Sequence, residues 1–118
     1  MRTIKFRGKC AFSGVWRYGY FYISKGNSII RDENDNESIV IPESVGQFTG
    51  RTDAEFDGLE VYENDFIENC DTKDLQVVYW NEKKASWYCR YVDDESRIVS
   101  LSDSLGNLNK VIKKPKLL

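Results

Sequence analysis

Histidine is absent from all 118 residues. Its absence removes the general base of Ser-His-Asp and Cys-His hydrolases and the imidazole ligand of most zinc sites. Cysteine is scarce: Cys10, Cys70 and Cys89 are widely separated, with no CxxC spacing. Four close thiolate ligands cannot be gathered from them, and an odd count gives no disulfide framework. Three reduced thiols in a cytosolic protein are the expectation. Neither GxxxxGK[ST] nor GxGxxG occurs, so no phosphate-cradling loop is legible and no cofactor is expected. Long apolar runs are missing too. The opening passes at once into Lys5, Arg7 and Lys9, and neither a signal peptide nor a membrane-spanning helix is expected, which points to the cytoplasm and away from membranes. No window shows a sustained 3.6-residue period, which leaves room for single helical turns only, near residues 43–47 or 102–105.

What is present is β-forming. Aromatic residues make up 14% of the chain and supply the buried area that an ordered fold needs against chain entropy. The length suits one core, or two small β-modules. Residues 40–68 alternate turn signals (Pro42, Gly46, Gly50, the Asp57-Gly58 and Asn64-Asp65 pairs) with extended-chain formers such as Val45, Phe48, Val61 and Ile67. Upstream, Val15, Arg17, Gly19, Phe21 and Ile23 share one strand parity, and Trp16, Tyr18, Tyr20 and Tyr22 the other. Both parities are largely apolar, so this strand is covered on two sides or shows an aromatic face to a partner. Lys25-Gly26-Asn27-Ser28 reads as a turn, 28–31 as a strand, 32–37 as a polar loop and 38–41 as a returning strand that Pro42 ends. Five short strands follow at 59–62, 65–68, 75–80, 87–92 and 98–101. Around the turn at 81–84, Val77, Tyr79, Trp87 and Cys89 are the candidate inward positions, with Val78 and Trp80 nearly as apolar. The expected architecture is all-β: an N-terminal β-meander over 1–50 packed on a small SH3-like barrel over 51–118, whose C-terminal tail returns as a last strand or docks by Leu117 and Leu118.

Charge is segregated along the chain. Residues 1–31 carry seven basic and no acidic residues, residues 110–118 carry four lysines and no acid, and all nineteen acidic residues lie between. The basic ends either meet the acidic middle, within one molecule or between copies, or offer a positive surface to phosphates. Lys5, Arg7, Lys9 and Arg17, interleaved with Trp16, Tyr18 and Tyr20, have the composition of a sheet surface that binds single-stranded nucleic acid; Phe12 and Tyr22 are further stacking candidates, and Lys113, Lys114 and Lys116 extend the basic set. Buried core aromatics are the competing reading.

Two acidic motifs are weaker. Asp53-Ala54-Glu55-Phe56-Asp57-Gly58 opens like a calcium loop, but its twelfth position is Asn64, not glutamate, and no helix flanks it. Asp93, Asp94 and Glu95 with Glu63, Asp65 or Glu68 would need tertiary convergence to hold magnesium, and consecutive acids between strands read first as an exposed turn.

MRTIKFRG at the start, VGQFTG at 45–50 followed by D…DG, EVYENDFIE at 60–68 and NKVIKKPKLL at the end resemble the YopX-like family of phage and prophage proteins. Ser44 stands where that family usually has threonine. Asn64 stands where it usually has glycine, a tolerable exchange because asparagine also accepts the left-handed conformation. The resemblance implies a small β-rich, phage-associated protein of the bacterial cytoplasm; it carries no activity and no catalytic residue with it. The functional expectation is therefore a non-enzymatic binding or assembly module, self-associating through its segregated charge. A nucleic-acid binder is the alternative, a metal-dependent enzyme comes last, and no small-molecule ligand is indicated.

Overall fold

A computed structural model describes residues 4–53, 58–106 and 109–112. Among these, eleven strands, one short helix and one 3-10 turn confirm the all-β expectation. The chain divides into two compact units, Met1–Gly50 and Arg51–Leu118. No helix among the described residues is long and apolar enough to cross a membrane.

The first unit is an antiparallel meander of β1 (Phe6–Lys9), β2 (Trp16–Ser24), β3 (Asn27–Arg31) and β4 (Glu37–Ile39), joined by β5, which begins at Gly46 and ends at Thr52; the order is β4-β3-β2-β1-β5. The turn between β2 and β3 is tighter than expected. Only Lys25 and Gly26 form it, at φ 53° and 80°, and Asn27 and Ser28 already pair with Ser24 and Ile23. Two left-handed residues match the twist of the flanking strands, which a longer loop here would not improve. The Asp32 loop is held by its own side chain: Oδ1 accepts hydrogen bonds from the backbone N–H groups of Asn34 and Asn36, each at 2.9 Å. Strand β4 is shorter than the expected 38–41. Val40 bridges to Cys10 instead and Ile41 N–H donates to the Lys9 carbonyl, before Pro42–Ser44 makes the 3-10 turn. On the inner face Ile30, Val40 and Cys10 are buried, and the Phe6 and Phe21 rings lie 5.7 Å apart.

The second unit contains β6 (Glu60–Tyr62), β7 (Phe66–Asn69), β8 (Leu75–Asn81), β9 (Ser86–Tyr91), β10 (Ile98–Ser100), α1 (Leu101–Leu105) and β11 (Asn109–Ile112). Five of its strands form an antiparallel sheet in the order β10-β9-β8-β7-β11, a meander whose last strand returns to the first. That order is compatible with the SH3-like barrel expected. Val61, Ile67, Val78, Cys89, Leu101 and Val111 form one buried cluster, with Trp87, Val99 and Leu105 packed against it.

Two local readings are corrected. Val77 and Tyr79 do not face inward: Asn81 pairs with Ser86, so Val78 sits opposite Cys89 and Trp80 opposite Trp87, and it is Val78 that is fully buried. The loop length fixes that register, and a shift of one residue exchanges the two faces. Leu101 begins a helix instead of ending a strand, because the Ser100 hydroxyl caps it by accepting from Asp103 N–H at 3.1 Å. Asn64 does take the left-handed conformation, at φ 70°, and Asp65 closes that turn by accepting from Tyr62 N–H at 2.8 Å. The expected returning strand is β11, of which Val111 and Ile112 are the last two residues; Lys113, Lys114, Lys116, Leu117 and Leu118 lie outside the described residues.

Candidate nucleic-acid interface

The alternation of β2 decides which aromatic residues are available. Phe21 turns inward, whereas Trp16, Tyr18, Tyr20 and Tyr22 all point outward and remain 37%, 45%, 69% and 38% exposed. Neighbours directly opposite on antiparallel strands share a face. Register therefore places Lys9 beside Trp16, Arg7 beside Tyr18, Arg31 beside Tyr20 and Ile29 beside Tyr22. The result is a row of four aromatic side chains flanked by cations from β1 and β3.

The cations are not equivalent. The Arg7 guanidinium lies 4.6 Å from the centre of the Trp16 ring and the residue is buried, so it supports that ring and is not open to a phosphate. Lys5 Nζ approaches the Phe48 ring at 5.1 Å. Lys9 and Arg31 are exposed. Arg31 Nε stands 3.6 Å from Asp35 Oδ1, a solvent-exposed pair of little strength that a phosphate can replace. Arg17 was counted with this set from sequence, but its place opposite Gly8 puts it on the other face of the sheet.

Beside the aromatic row lies a groove of about 440 Å³ lined by Lys5, Tyr18, Gly19, Tyr20, Arg31 and Glu33, among others. Gly19 sets its floor. A Cβ built there would stand 2.1 Å from the Arg31 carbonyl oxygen, at φ 153°, so only glycine lets β2 approach β3 this closely at the point where the Asp32 loop begins. The loop's carboxylate is committed: Asp32 accepts from Asn36, then from Asn34, and these bonds hold its carboxyl below the usual range. Glu33, next to it, is exposed, with no hydrogen bond or ion pair to any described residue.

The acidic motifs serve structure instead. Asp53 is buried and its carboxylate accepts from Leu59 N–H and, at 3.2 Å, from Val111 N–H, tying β11 to the start of the second unit; residues 54–57 of the calcium-like loop lie outside the described residues. Asp94 closes a turn by accepting from the Ser96 hydroxyl and N–H, which lowers its carboxyl. Among the described residues no group of three Cys, Asp or Glu is placed to hold a metal ion. The three cysteines are free.

Of the residues singled out by sequence, Lys5, Lys9, Trp16, Tyr18 and Tyr20 share one face, with Arg7 beneath. Arg31 and Glu33 were missed, since only the hairpin pairing brings them beside Tyr20. No family model matches the chain and no curated protein matches it, so the likeness to the YopX-like proteins rests on the residues quoted for it.

Proposed function

We propose that this protein is a non-enzymatic binding module, phage-associated by its resemblance, and that the outer face of the first unit binds single-stranded nucleic acid. One observation carries this reading: four aromatic side chains of a single strand stand exposed in a row, between basic side chains of the strands on either side. Unstacked bases present flat π-faces at a spacing that a sheet can match, while lysine and arginine at the margins neutralise the backbone. A duplex would bury those base faces within its own stack. The first unit carries seven basic residues against five acidic, whereas the second carries ten against fourteen, so the net positive charge belongs to the unit that bears the exposed aromatics.

The test is fluorescence anisotropy of a labelled oligothymidylate of about ten nucleotides, a length within the usual site sizes for such surfaces. Binding is expected at low salt, weakening steeply as salt rises. Tyr20→Ala should cost about 1–3 kcal/mol of binding free energy, the value of one stacked base. An absence of binding at low salt would end this reading. If the oligomeric mass proved salt-sensitive in the same samples, the face would belong to self-association between basic and acidic surfaces.

A further inference from the structure

We infer that the groove beside Tyr20 is a base-selective subsite for guanine. This rests on the nucleic-acid reading above and deepens it. A surface built only to hold phosphates has no use for a carboxylate, yet Glu33 lines the groove together with Lys5 and Arg31. It is held there by the Asp32 loop, whose own carboxylate is occupied by Asn34 and Asn36. Glu33 has no hydrogen bond or ion pair to any described residue and is exposed, so its two oxygens are open to a ligand.

An ionised carboxylate only accepts hydrogen bonds. The ligand edge that suits it must offer two adjacent donors. Guanine does so through N1–H and N2–H₂. Adenine and cytosine each set one amino donor beside a ring-nitrogen acceptor, and thymine or uracil sets one N–H between two carbonyl acceptors, so each turns a lone pair toward the glutamate. Discrimination thus comes from repulsion of the wrong edges as much as from attraction of the right one. Of the other lining residues, Tyr20 stacks on any base, and Arg31 and Lys5 take the flanking phosphates whatever the sequence. Gly19 lines the groove and lets β2 close on the start of the Asp32 loop, which sets Glu33 beside Tyr20.

The experiment uses the full chain and thymidine oligomers of about ten nucleotides carrying one central guanine, adenine, cytosine or thymine, short enough and poor enough in guanine to stay unstructured. The guanine oligomer should bind roughly five- to tenfold more tightly than the others, the low end of what a two-bond base contact gives because Glu33 is exposed. Glu33→Gln presents one donor and one acceptor, and should abolish the preference while leaving thymidine-only binding equal or slightly tighter. Tyr20→Ala should weaken all four oligomers together. Equal affinity of the unaltered protein for all four would overturn the guanine assignment and leave the stacking surface intact; a preference that survives in Glu33→Gln would overturn the role of Glu33. Failure of every oligomer to bind at low salt would overturn both readings at once.

Discussion

The two units use their apolar residues in opposite ways. In the second, Val61, Ile67, Val78, Cys89, Leu101 and Val111 close around one another, and several of its outer aromatics are paired or covered: Trp80 meets Trp87 edge-on at 5.1 Å, Arg90 covers Tyr79 and Arg97 covers Tyr91. In the first, the buried apolar residues are few, Ile30 and Val40 chief among them, while four aromatics stand outward. Each unit contains a strand that is apolar on both parities, and in each the register with its neighbour decides which side turns inward. Val78 packs on Cys89; Phe21 lies opposite Ile30. Tyrosine serves either place, buried where its hydroxyl finds a partner, as Tyr62 does by donating to Glu60 at 3.0 Å, and outward where it does not need one. Aromatic content is thus a poor measure of core content in this chain: the second unit's aliphatic cluster gives it stability, and the first unit's exposed strand gives it a surface.

The sharpest way to break that contrast is to truncate one residue of each kind. Ile67 is fully buried in the aliphatic cluster, and Ile67→Ala should cost about 2–5 kcal/mol, since the cavity adds to the lost transfer energy. Tyr20→Ala removes a larger side chain and should change stability by only about 0.5 kcal/mol, because that residue is mostly exposed. Urea midpoints of the two variants would show the ordering, with the slope unchanged if the native states are intact. Equal costs would mean that the aromatic row is part of a core after all.

Titration separates the units next. Burial pushes the Cys89 thiol from 9.0 up to about 12, with a small opposing effect of the Ser104 hydroxyl. The folded chain therefore disfavours the thiolate. Stability from this group is fully present below pH 9 and is lost as pH rises toward 12, by up to about 4 kcal/mol. Cys89→Ala should flatten this alkaline limb of the stability curve while lowering its plateau, as measured by urea unfolding between pH 7 and 11. An unchanged alkaline limb would show that the thiol is hydrated.

Strand existence and turn chemistry were legible in the sequence, because they are local: Asn64, Pro42 and the polar loop after Arg31 each act through their own backbone preference. Register was not. The face that Val78 joins depends on Asn81 pairing with Ser86 across a four-residue loop, a tertiary choice between two nearly equal apolar parities. The candidate site divides along the same line. Trp16, Tyr18 and Tyr20 follow from period-two alternation within one strand, whereas Arg31 and Glu33 reach the groove only through the tight Lys25-Gly26 turn. Arg17 was misplaced because composition groups charges that alternation separates.

The smallest effect concerns the other buried cysteine, and its sign is opposite. Cys10, in the first unit, is held down to about 7, first by the Ser13 hydroxyl and then by the backbone N–H groups of Ser13 and Phe12. Its thiolate is favoured by the fold, so its contribution to stability is present above pH 9 and disappears as pH falls through 7. The same bonds set its chemistry, since the thiolate is the nucleophile. In a Cys70→Ser background, iodoacetamide should modify Cys10 with a rate midpoint near pH 7, slowly because the residue is buried, while Cys89 should stay unmodified until the chain unfolds. Ser13→Ala should move the Cys10 midpoint toward 9, read by mass spectrometry of the alkylated peptides. If Cys10 reacted with a midpoint near 9 in the unaltered chain, the Ser13 turn would be open in solution. The two thiols would then no longer distinguish a hydrogen-bonded turn from an apolar core.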